Sequence, residues 1–209
     1  MITLMLVAVL GALLVLVLMQ LFKKPPPAPV KPVEDLANLH ATDARVGDAI
    51  SVSGVGDAMT DLDFTADRST WVQAGSRQWF EVSGPYHNRR VAIRVSNAEE
   101  VEVGVHVDSR KLTLEDLGVS EDDLAQMDER QNTADSFEFD GKTWMYHLSR
   151  EGQAKRTDLP QPEGFYYWEF LEQNGPGLLA VRKAEGEPFG VTLYTSIPPG
   201  DVTVYRGAR

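Results

Sequence analysis

The four histidines, His40, His87, His106 and His147, are where a metal or general-base reading of this chain begins. No two of them stand at a ligand spacing such as i, i+2 or i, i+4, so a metal site would need convergence over long range, and none is expected. His106 and His147 fall on strand faces opposite the valine row and the Trp144/Tyr146/Leu148 row, which predicts exposed strand histidines. His87 lies in Pro85-Tyr86-His87-Asn88-Arg89-Arg90, a turn by composition. Asp57, Asp61, Asp63 and Asp67 cluster, but a calcium loop starting at Asp61 needs Gly at position 66, where the chain has Ala66. Gly54-Val55-Gly56 completes no phosphate cradle, since Met59 stands where a third glycine belongs. There is no G-x-S-x-G, no Gly-Lys-Ser/Thr and no H-E-x-x-H, and the absence of cysteine excludes thiolate nucleophiles and disulfides. No catalytic residue, metal or cofactor is therefore assigned. Carboxylates remain: Trp79-Phe80-Glu81 and Trp168-Glu169 recur in two similar segments, and Trp79, Glu81, His87 and Glu169 are the candidates to line a cleft between them.

Two features suit contact with a partner better than catalysis. Residues 112–134 include LTLEDLGVSEDDLAQMDER, with Ser120 as N-cap and Glu121, Asp122 and Asp123 in the first turn, which predicts a short acidic helix. Its candidate contact residues are Glu115, Asp116, Glu121, Asp122, Asp123, Asp128 and Glu129. In the aromatic run Phe165-Tyr166-Tyr167-Trp168-Glu169-Phe170, Tyr166 and Trp168 share one strand face with Phe170. That face is either core, the default for aromatics, or an exposed platform with Tyr166 and Trp168 as contacts.

The elements that must position these residues follow from patterning. Residues 2–22 carry no charge, and as a helix they span about 31 Å, the thickness of a bilayer core. No Lys or Arg precedes the run and no Ala-x-Ala follows it, so a retained single-pass anchor over 1–22 is expected rather than a cleaved signal. Lys23, Lys24 and Lys31 follow it, which places the C-terminal bulk in the cytoplasm and the protein in the inner membrane. Residues 23–42 read as a juxtamembrane stalk containing PPPAPVKPV. From Glu34 onward the chain carries 17 basic and 31 acidic side chains, a net −14, which argues against nucleic acid and for a partner of basic or mixed surface.

Residues 43–209 read as a mainly β module. Val101, Val103, Val105 and Val107 alternate with polar residues, as do Val91, Ile93 and Val95 with Ala92, Arg94 and Ser96, giving one buried face each. Further strands are expected at 49–52, 70–73, 78–82, 142–148, 165–171, 179–183, 189–195 and 201–205. They fall into antiparallel halves, about 43–111 and 135–209, as a sandwich or barrel bridged by the acidic helix. Trp79 leads to Ala92 and Val103-Gly104-Val105; Trp168 leads to Ala180 and Phe189-Gly190-Val191. An internal duplication accounts for this, with chance likeness between meanders as the alternative.

Arg45-Val46-Gly47-Asp48, Trp79–Glu81, Phe139-Asp140-Gly141-Lys142, Tyr167-Trp168-Glu169-Phe170, Leu179-Ala180-Val181 and Asp201–Tyr205 together resemble the bacterial domain-of-unknown-function 4178 family, over about residues 43 to 206. That family has no established catalytic residues, so the resemblance carries none over. Some members are encoded beside phage-shock-protein-A-like membrane-remodelling proteins, which implies an accessory role at the inner membrane and such a protein as partner. Three readings follow: a non-enzymatic module docking a protein, a small-ligand-binding or hydrolytic module, and a self-associating membrane tether.

Overall fold

The computed structural model describes residues 39–97 and 99–207. The expected anchor over 2–22 and all but the last residues of the stalk lie outside the described residues. Among the described residues no helix is long and apolar enough to cross a membrane. The described residues form twelve strands in chain order: β1 (Ala49–Val52), β2 (Leu62–Thr65), β3 (Arg68–Ala74), β4 (Arg77–Tyr86), β5 (Arg89–Asn97), β6 (Val101–His106), β7 (Ser136–Phe139), β8 (Lys142–Arg156), β9 (Glu163–Glu172), β10 (Gly177–Ala184), β11 (Gly190–Ile197) and β12 (Val202–Tyr205). Between β6 and β7 lie two helices, α1 (Leu114–Leu117) and α2 (Glu121–Arg130).

Eight strands close an antiparallel barrel in the order β3-β4-β5-β6-β11-β10-β9-β8, with β8 returning to β3. Each half supplies a four-stranded meander, β3–β6 and β8–β11, joined to the other by β6 with β11 and β3 with β8. Closure removes the free edges that two separate sheets would expose. The halves thus do not flank a cleft; they enclose a shared interior. Along the edge away from β9 the 15-residue β8 serves two neighbours in turn, pairing with β7 through Lys142–Met145 and with β3 through Gly152–Arg156. A register shift between Tyr146 and Leu148 lets it bend from one to the other and leaves His147 as the extra residue.

Alternation along each strand sends one set of side chains into the barrel and the other outward. The outward row of β4–β6, with Val82, Ile93, Val95, Val103 and Val105, is covered by a three-stranded sheet ordered β12-β1-β2, which supplies Ile50, Leu62, Phe64 and Val204. Gly84 lies under this sheet; a Cβ there would come within 2.1 Å of the Thr65 carbonyl, so no side chain fits. The outward row of β8–β10, with Trp144, Tyr146, Trp168, Phe170 and Leu179, is covered by the helical segment through Leu117, Leu124 and Met127. The expected single acidic helix is two: α2 begins at the predicted N-cap Ser120 and α1 at Thr113, and Thr113 and Ser120 accept from the backbone N–H of Asp116 and Asp123, whose carboxylates accept in return. The third cluster, with Val72, Ala74, Trp79, Tyr167, Ala180 and Tyr194, fills the middle of the barrel interior.

Candidate functional site

The barrel interior is where charge is concentrated without solvent. Glu81 on β4 and Glu169 on β9 both point inward, and each meets an arginine from the other half: Arg182 of β10 donates to Glu81, and Arg94 of β5 donates to Glu169 at 2.8 Å. The two pairs are built alike. Each glutamate precedes the arginine of its own half by 13 residues, and each receives a hydrogen bond from the aromatic residue two positions earlier on its strand. Those donors are the Trp79 indole at 2.9 Å and the Tyr167 hydroxyl at 2.5 Å, their ring centroids 5.3 Å apart. Each arginine is matched across its hairpin to a glycine, Arg94 to Gly104 and Arg182 to Gly190. The counterpart of Trp79 is therefore Tyr167 and not Trp168. Ala92 follows Trp79 by 13 residues and Ala180 follows Trp168 by 12, a mismatch that disappears with Tyr167 as the counterpart.

Glu169 is the most constrained group. It is 1% exposed and also receives Arg77 at 2.7 Å, while Arg94 donates to the Tyr167 hydroxyl at 2.8 Å and stacks 4.2 Å from the Trp79 ring. Burial alone would push its carboxyl up, but Arg94 and Arg77 outweigh it and hold it below the usual range. Glu81 behaves likewise: burial opposes ionisation, and Arg182 with the Trp79 N–H prevails. Burial pushes the Tyr167 hydroxyl well up and raises Tyr194 too, so both stay neutral donors. Neither glutamate suits a general acid, which needs a raised pKa to carry its proton near neutrality.

The plug formed by Trp79, Tyr167 and Tyr194 leaves a cavity at each end. One, of about 760 Å³, opens over Glu169 and is lined by Arg77, Arg94, Ser96, Glu102 and His147. His147 approaches the Glu169 carboxylate at 3.9 Å. The other, of about 410 Å³, opens over Glu81 and is lined by Arg68, Arg90, Arg156, Arg182 and His106. His106 is half-buried rather than exposed, because the strand face opposite the valines is the barrel interior; its Nδ1 lies 2.9 Å from the Leu193 carbonyl.

Three of the four predicted cleft residues, Trp79, Glu81 and Glu169, thus meet inside the barrel. His87 does not: it is exposed in the β4–β5 turn, against the Tyr86 ring and 4.0 Å from Asp57. The aromatic platform is covered. Trp168 donates to the Leu124 carbonyl of α2 at 3.3 Å, and the Tyr166 hydroxyl donates to Asp128 at 2.8 Å, which with burial pushes Tyr166 up to about 12. Of the acidic candidates, Asp116 and Asp123 act as caps and Asp128 turns inward to Tyr166, Ser149 and Gln131. Glu115, Glu121, Asp122 and Glu129 stay exposed, with no ion pair among the described residues. The arginines are what the sequence reading missed. The one signal for them was Arg94 and Arg182 at equal spacing from their glutamates. Among the described residues no three His, Asp or Glu side chains are placed to hold a metal. Comparison with known proteins finds no match, whether to a family model, a curated protein or a solved structure.

Proposed function

We propose that this chain is a single-pass inner-membrane protein whose cytoplasmic barrel is a non-catalytic docking module for a protein of basic or mixed surface, accessory to phage-shock-protein-A-like membrane remodelling. The observation that carries the docking reading is the outer face of the helical segment. Its apolar stripe is spent on the barrel, three of its acids serve the fold, and Glu115, Glu121, Asp122 and Glu129 face solvent with no ion pair among the described residues. Some exposed acids outside the helices, Asp57, Asp67, Asp140 and Asp158, are each held by an arginine. An uncompensated acidic face steers a basic partner and sets its register. The barrel is read as two copies of one four-stranded unit, each glutamate clasped by the other copy's arginine.

The test is recovery of co-purifying protein from membranes with the full chain and with the Glu115→Lys, Glu121→Lys, Asp122→Lys, Glu129→Lys variant. Docking predicts a partner at near-equal stoichiometry that the variant loses and that weakens with salt. Unchanged recovery would remove the helix from the reading, and recovery of the chain alone would favour self-association. A second reading, small-ligand binding, is favoured by the open cavities at the barrel ends, as small barrels hold one ligand in this way. The lowered carboxyls of Glu81 and Glu169 speak for binding over hydrolysis within it.

A further inference from the structure

In a chain that carries 31 acidic side chains, four arginines converge on the smaller cavity. The strand register explains it. Arg68 is matched to Ser83, Thr70 to Arg156, and Arg182 to Tyr167, so these side chains and Arg90, two residues before the inward Ala92, all enter the barrel at one end. The neighbouring inward positions are small, Ser83, Ala92, Ala154, Ala184 and Gly190, which is why space remains there.

The guanidinium donors are only partly used. Arg90 holds Asp67 with both terminal nitrogens, at 2.6 and 2.9 Å, leaving Nε. Arg156 holds Asp158 with Nε and Nη2, leaving Nη1. Arg68 reaches Asp158 only at 3.9 Å. Arg182 spends both terminal nitrogens on Glu81, and its buried Nε has no hydrogen-bond partner among the described residues. Arg90 and Arg156 are near enough that the charge on one opposes protonation of the other. Three carboxylates line the cavity too, but Glu81 is committed to Arg182, and Glu163 and Glu187 are exposed at the rim. The inner part therefore offers spare N–H groups to an anion with several oxygens, the geometry guanidinium forks match best. Phe165, beneath Arg182 at 5.5 Å, supplies an apolar flank.

We propose that this end of the barrel binds a phosphomonoester dianion, held by Arg68 and Arg156 with the spare donors of Arg90 and Arg182. The site is independent of the helix face proposed for docking. The same chemistry belongs to a soluble phosphorylated molecule and to a phosphatidic acid headgroup, and the test separates them.

The full chain in neutral nanodiscs is titrated calorimetrically with inorganic phosphate and with phenyl phosphate, and compared with nanodiscs containing phosphatidic acid for self-capture of the barrel, read as protection of Arg68 from guanidine-directed labelling. The site predicts saturable binding of phenyl phosphate, tighter than phosphate, and about tenfold or more weaker in Arg68→Gln. Arg68 is half-exposed and weakly paired, so this variant keeps the fold, which circular dichroism verifies. Ala184→Leu, which fills the cavity without touching a charge, should weaken binding as well, while the charge-reversed helix variant should bind normally. Protection by phosphatidic acid without binding of either soluble probe assigns the site to the lipid headgroup. Absence of binding to all three probes, or equal binding by Arg68→Gln and the unaltered chain, overturns the proposal.

Discussion

Glu169 and Glu81 hold matching places at opposite ends of one barrel, yet they live in different surroundings. Glu169 is 1% exposed against an arginine that is 5% exposed, and takes a second arginine besides; Glu81 is 15% exposed against an arginine that is 26% exposed. The first pair lies beside the larger cavity, but its carboxylate oxygens are taken up by Arg94, Arg77 and the Tyr167 hydroxyl, which tie β9 to β4 and β5. The second leaves donors unspent beside an open cavity. One pattern used twice thus gives a structural brace at one end and a place for an incoming anion at the other. What separates them is the number of donors converging on each carboxylate, since a buried charge is tolerable only when its partners are complete.

The largest expected effect follows from that difference. Glu169→Gln leaves Arg94 and Arg77 facing a neutral amide, with Arg94 buried, and should cost about 3–5 kcal/mol. Glu81→Gln frees a better-solvated arginine and should cost about 1.5–3 kcal/mol. Denaturant midpoints measured with unchanged m-values compare the two directly. Equal losses would break the comparison. Converting both members of the buried pair, Arg94→Met with Glu169→Met, should cost less than Glu169→Met alone, because no buried charge is then left without its partner.

Most strands were legible because they are half-buried and alternate: Val91, Ile93 and Val95 announce a covered face whatever covers it. The capped helix was legible for the same local reason, with Ser120 and Asp123 three residues apart. What local pattern does not carry is closure. Arg94 alternates with valines as a solvent-facing residue would, and only the pairing of β3 with β8 turns that face into an interior. The short β2 (LDFT) and β7 (SFEF) alternate but run for only four residues each, too few for the pattern to stand out, and the polar second half of β8, Ser149–Arg156, was missed because it barely alternates in hydrophobicity and one of its partners, β3, is distant in sequence. Of the interior site, the glutamates and Trp79 were found through repetition. Arg68, Arg90 and Arg156 were not, because their common end of the barrel is a property of register.

Acid should sharpen the contrast. Glu81 and Glu169 both have folded-state carboxyls held below the ordinary 4.5, so they bind protons less readily folded than unfolded. Their contribution is present in full above the unfolded value and is lost as pH falls through the lowered one, so stability should decline on acidification below about pH 4.3. Tyr167→Phe is the finest probe of this balance. It removes the one neutral donor to Glu169 while Arg94 and Arg77 remain, so at pH 7 it should cost only about 1 kcal/mol. Without that hydrogen bond the carboxylate is less favoured, its folded-state pKa rises toward the ordinary value, and the acid-unfolding midpoint should move to higher pH. A midpoint that stays put while Glu81→Gln moves it would show that the less buried pair, not the more buried one, governs the acid response, reversing the order of the two ends.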